Sequence, residues 1–114
     1  MNFQFYLLPK KYVFTKSIGF DKHSLLFFIE SNYNTSIIEK SKALNLKIDY
    51  TFESRCIKLL TRTKLTDVGI LSKITSILAS NNIPCNVISG YENDYFFVPV
   101  NEGLKAFQIL NSLS

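Results

Sequence analysis

Ile70, Leu71, Ile74, Ile77 and Leu78 recur at the spacing that puts apolar side chains on one face of a helix. That run also carries its own end signals. Thr66 or Asp67 can accept a hydrogen bond from a free N–H of the turn that follows, and Gly69 lets a small anion or other ligand approach that first turn of backbone. Downstream, Asn81-Asn82 can end the helix in a left-handed conformation, and Pro84 forbids its continuation. The spacing therefore predicts a helix over 68–80. Two strands, Cys85–Ser89 and Tyr95–Val98, are expected next as a hairpin around Gly90–Asp94. A last helix is expected from near Asn101, with Leu104, Phe107, Leu110 and Leu113 inward.

The first half is less sharply patterned. Tyr12–Thr15 and Leu25–Ile29 read as strands joined in a hairpin through a loop containing Gly19. Ser36-Ile-Ile-Glu39 fits a capping box, so a short helix is expected with Ile37, Ile38, Ser41 and Leu44 as its buried stripe. Ile48–Phe52 alternates as a strand, and Arg55–Arg62 is a further strand leading to the Asp67–Gly69 turn.

A faint internal repeat links the halves. Residues 25–44 laid over 94–113 without gaps share the Phe-Phe pair, one Asn and the final Leu. Strand, helix, strand, strand, helix in the second half, with a shorter set in the first, predicts an α+β ferredoxin-like plan. It consists of tandem halves with a mixed or antiparallel sheet and helices packed on one face. The first copy, residues 1–54, is expected to lack its opening strand and helix, with Phe3–Leu8 standing in for one strand. Residues 55–114 form the second copy. No linker rich in Pro, Gly or Ser separates them, so one compact unit is expected.

Composition narrows the function. The chain has 114 residues and is 46% apolar with ten Phe, enough to build a core without staples. Its apolar runs are too short to span a bilayer, and the N-terminus does not read as a signal peptide, which places it in the cytoplasm with no membrane partner. Cys56 and Cys85 lack CxxC spacing, and His23 is the single histidine, so no metal or cofactor is expected and the cysteines are read as buried, reduced thiols. The net charge of +4 comes from scattered lysines of the first half, which describes a solvated surface better than a polyanion-binding patch.

Catalytic chemistry has little to work with. His23 is expected in a hairpin loop beside Asp21 and Lys22, and Ser72 and Ser76 lie in no nucleophile elbow. Gly69 stands alone, so phosphate-loop and dinucleotide fingerprints are absent. A non-enzymatic protein is expected. Nucleic-acid binding on the same topology is the competing reading, weakened because the Gly-aromatic signature of RNA-recognition strands occurs at neither Arg55–Arg62 nor Tyr95–Val100.

The run VGILSKITSILASNNIPCNVISGYENDYFFVPVNEGLKAFQIL resembles the ACT domain, a small ligand-binding regulatory module of amino-acid metabolism, and in particular free-standing bacterial tandem-ACT proteins. The Val-Gly turn, the helix, the Ile-x-Cys-Asn-Val strand, the acidic turn and the Phe-Val-Pro strand carry the likeness. The family's acidic turn often holds histidines where this chain has Asn93 and Tyr95, and its helix usually ends in Gly where Asn82 stands. The resemblance implies a ligand, an amino acid or similar metabolite, held by backbone N–H groups of Thr66, Asp67, Val68, Gly69 and Ile70. Asp67 would accept from its amino group, and Asn86, Ser89 and Asp94 would add polar contacts. Occupancy would pass to a regulated protein partner or to a homodimer. An interaction-only protein that has lost its ligand is the third reading.

Overall fold

The computed structural model describes residues 2–17 and 22–113, so the loop containing Gly19 lies outside the described residues. Six strands and three helices follow in the order β1 (Phe5–Ser17), β2 (Leu26–Ile29), β3 (Asn34–Glu39), α1 (Lys40–Asn45), β4 (Thr51–Leu59), α2 (Ile70–Ser80), β5 (Asn86–Ser89), β6 (Asp94–Pro99) and α3 (Gly103–Asn111). They form two units, one of Lys10–Ser54 and one of Met1–Pro9 with Arg55–Ser114.

In the second of these units the strand order is β1-β4-β6-β5, with β5 and β6 antiparallel from Asn86↔Phe97 to Ser89↔Asp94. Pleating sends Ile57 and Leu59 of β4, and Phe96 and Val98 of β6, to one face. There they meet Ile74 and Leu78 of α2 and Ala106 and Leu110 of α3, joined by Phe3, Phe5 and Ile83. The expected α+β, ferredoxin-like arrangement with helices on one face is what this unit shows. The segment Phe3–Leu8, expected to stand in for a strand of the first copy, belongs instead to this unit, where β1 from Phe5 is the fourth strand.

The unit of Lys10–Ser54 repeats the plan with the order β2-β3-β1-β4. Its core is Val13, Ile38 and Ala43, with Ile48 against them. β3 pairs antiparallel with both neighbours, Tyr12↔Glu39 to Ser17↔Asn34 on one side and Leu26↔Ile37 to Ile29↔Asn34 on the other. The hairpin is therefore β2–β3, and β1 does not pair with β2 in this register. The opening strand of this copy is present as the later part of β1.

Three expectations change here. Ser36–Glu39 is strand, not helix, because Ile37 and Ile38 are both fully buried, and adjacent strand residues face opposite sides. Glu39 precedes α1 in extended conformation and makes no capping bond. In place of the strands expected at 48–52 and 55–62 there is one strand, β4, which excludes 48–50 and 60–62 and whose second residue Phe52 has φ 54°. Leu104 is exposed, because a 3₁₀ turn at Val100–Glu102 delays α3; Gly103, Ala106 and the expected Leu110 are buried, and the expected Phe107 and Leu113 pack against the core partly buried. A Cβ at Gly103 would lie 2.6 Å from Arg55 Cγ, which fixes a glycine where α3 meets β4.

Helix α2 starts two residues later than expected and ends as expected. Asn82 takes φ 59°, its N–H donates to the Ala79 carbonyl and that of Ile83 to Leu78, closing the left-handed cap. Cys56 and Cys85 are free thiols; burial pushes the first up to about 12 and the second up to about 11. Among the described residues no helix is long and apolar enough to cross a membrane.

Candidate functional site

The loop between β4 and α2, the start of α2 and the β5–β6 turn line a pocket of ≈ 210 Å³. Its lining includes Asp67, Gly69, Ile70, Ser89 and Asp94 from the expected site. Thr66 and Asn86 are exposed and do not line it, and neither does Val68, which is 94% exposed. Asn86 stands three residues along β5 from Ser89, roughly 10 Å of strand away from the turn.

Backbone polarity comes from α2. The N–H of Lys73 donates to the Gly69 carbonyl at 3.0 Å, so the donors of Ile70, Leu71 and Ser72 precede the first intrahelical bond. No side chain caps this helix; its cap position is Gly69 at φ 83°, with no atom within 4 Å of where a Cβ would stand. The open helix start presents partial positive charge to the pocket that Ile70, Leu71 and Ser72 line.

Asp67 does something other than cap α2. Its Oδ2 accepts the Lys64 N–H at 2.6 Å, and its own N–H donates to the Lys64 carbonyl at 3.0 Å, closing the preceding turn. Asp94 is the carboxylate set deepest in the lining: it is 7% exposed, and Thr63 Oγ1 donates to its Oδ2 at 3.4 Å. The pocket thus joins peptide donors and Lys64 with the carboxylates of Asp67 and Asp94. That arrangement has places for both charges of a small zwitterion.

Gly90, of the expected Ser89–Asp94 turn, also lines it, and Thr63, Lys64, Leu65, Leu71 and Ser72, which complete the lining, escaped the sequence reading. Placing the helix start at residue 68 hid the role of Leu71 and Ser72. Asn93, in the acidic turn, donates from Nδ2 to the Leu59 carbonyl at 3.0 Å, tying the turn to β4 and holding the pocket wall.

The family model for the ACT domain matches residues 51–112. The chain belongs to the ACT domain family. A search of curated proteins finds no match for it. Among solved structures, a protein of unknown function from Vibrio cholerae, described as a possible transport protein, is 25% identical with a TM-score of 0.87, over 97% of this chain and 89% of that one. An Agrobacterium tumefaciens protein shares the fold at TM-score 0.79 and 14% identity, over 98% of this chain and 89% of that one. The E. coli aspartokinase III solved with aspartate and ADP shares it at TM-score 0.67 and 13% identity, with 95% of this chain matching 32% of the enzyme. Membership of the ACT family, with this fold, points to a regulatory role through binding of a small molecule.

Proposed function

We propose that this ACT-domain chain is a non-enzymatic regulatory protein of the cytoplasm that binds an amino acid in the α2 pocket. Occupancy would be passed to a regulated protein partner or expressed in the chain's own assembly. The observation that carries the reading is Asp94, 7% exposed, lining the same pocket as the uncapped start of α2. A ligand carboxylate would sit on the N–H groups of Ile70–Ser72 and its ammonium on Asp94, each charge meeting the opposite sign. Such a ligand can bias one arrangement over another only through these differential contacts.

The test is a calorimetric and thermal-shift screen of the twenty amino acids on wild type and Asp94→Asn. A ligand at a hundred times its Kd is expected to stabilise the fold by about 2.7 kcal/mol. Removing the charge that meets the ammonium is expected to weaken binding about tenfold or more, with melting kept near wild type. Equal affinity in wild type and a folded Asp94→Asn would refute the assignment.

A further inference from the structure

We propose that the unit of Lys10–Ser54 carries a second small-molecule site, a groove suited to an aromatic ring that bears both an anionic and a cationic group. Two adjoining hollows, of ≈ 550 Å³ and ≈ 200 Å³, share Phe14, Lys16 and Thr51 in their linings and together make up the groove. The larger lies within the usual size of small-ligand pockets. It is separate from the α2 pocket, with which it shares no lining residue.

The walls are shaped at a cost to the backbone. Lys47, at φ 55°, closes the left-handed cap of α1, its N–H donating to the Leu44 carbonyl and that of Ile48 to Ala43, while Phe52, at φ 54°, holds a conformation that is a true outlier for a bulky residue. Between them, Ile48–Thr51 forms one side of the larger hollow, anchored by Ile48 against Val13, Ile38 and Ala43. The turn at Phe52 brings its ring edge-on to Phe14, 5.6 Å between centroids at 70°, which fixes the orientation of Phe14. Strain of this kind persists where the surroundings impose it, and binding sites are where it concentrates.

The chemistry of the lining selects the ligand. Phe14 and Tyr50 offer aromatic surface for a ring. Lys16 is the one cation lining either hollow, and its Nζ stands 4.9 Å from the ring centroid of Tyr33, which lines the smaller one. Of the two carboxylates, Glu30 lines the smaller hollow and accepts the Thr35 hydroxyl at 2.8 Å, and Asp49 is the one that lines the larger hollow, as Lys16 does. A purely anionic ring would meet Asp49 unfavourably, and a purely cationic one would meet Lys16. A ring with both charges satisfies each, and an aliphatic zwitterion forfeits the aromatic contact.

The test is an amide-shift NMR titration of the full chain with L-phenylalanine, with L-alanine and 3-phenylpropionate as controls, on wild type, Lys16→Gln and Asp94→Asn. Expected are saturable shifts at Lys16 and Thr51 with L-phenylalanine. They should weaken about tenfold or more in Lys16→Gln, because one charge-assisted bond is lost, and stay unchanged in Asp94→Asn. Lys16 is exposed, so its replacement should leave the fold intact; Phe14→Leu provides a second variant that shortens the ring surface. Three results would overturn the proposal: shifts confined to Ile70–Ser72 and Ser89 and abolished by Asp94→Asn, equal response to L-alanine, or no saturable shift at Lys16 and Thr51. The first would leave the α2 site standing, and loss at that site alone would leave this one standing.

Discussion

Gly69 is the residue at which conformation and ligand access separate. Its φ of 83° is costly for a residue with a Cβ, while nothing within 4 Å would obstruct one. A substitution there is therefore a backbone problem before it is a packing problem. Asn tolerates the left-handed region and Val does not. Gly69→Asn is expected to melt close to wild type and yet weaken amino-acid binding, since its side chain projects beside the helix-start donors. Gly69→Val is expected to lose about 1–3 kcal/mol through strain alone. Thermal melts with calorimetry on both variants check this; an Asn variant that binds like wild type would move the ligand away from the start of α2. Gly69 was legible in the sequence because a glycine ahead of an apolar-periodic run has few other uses. Asp67 was not, because the same short carboxylate can cap the turn before it as readily as the helix after it. The Lys64 N–H that decides between them carries no sequence mark.

At the scale of elements, legibility followed periodicity. α2 shows five apolar positions at helical spacing and a stop signal, and both its buried face and its Asn82 cap are found. β3 shows the opposite case. Its Ser-Ile-Ile-Glu run satisfies a local capping pattern, but two adjacent isoleucines in an interior strand are both buried, so sheet pairing overrode the local signal. α3 fell between, its register displaced by the 3₁₀ turn before it. The stability prediction follows the observed faces. Ile74, fully buried on the inner face of α2, should cost about 2–5 kcal/mol on replacement by Ala, as a cavity forms in the core it shares with Ile57, Phe96 and Leu110. Phe107 is only partly buried, so Phe107→Ala should cost less than the 3–5 kcal/mol typical of a fully buried ring, an estimate of roughly that order for core Phe residues. Denaturant midpoints order the two; a larger loss at Phe107 would contradict this packing.

At the scale of the molecule, the repeat is real in geometry and nearly silent in sequence. β2 and β3 span 26–29 and 34–39, β5 and β6 span 86–89 and 94–99, and each hairpin closes with the same backbone bond, Glu30 N–H to Tyr33 and Gly90 N–H to Asn93. The structural offset is 60 residues, whereas the ungapped identity match lies at 69. The matched Phe-Phe pairs therefore occupy different strands of their hairpins. What periodicity could not reveal is that Phe3 and Phe5 complete the core made by residues 55–113, because contacts across more than fifty residues leave no local pattern. This has a direct consequence for truncation. Deleting residues 2–9 leaves every residue lining the α2 pocket in place, but removes two buried rings and Leu7 from the core beneath α2 and α3. Each buried Phe is worth about 3–5 kcal/mol when truncated, against a total stability of about 5–15 kcal/mol for a small domain. The truncated chain is expected to lose the cooperative melt of this unit, and amino-acid binding with it. Circular dichroism melts and calorimetry on the deletion, beside a conservative Phe5→Leu that keeps most of the buried volume, distinguish the cases. If Phe5→Leu binds and melts near wild type while the deletion does neither, strand β1 is an integral wall of the unit. A deletion that still melts cooperatively and binds would mean residues 55–113 close their core without it.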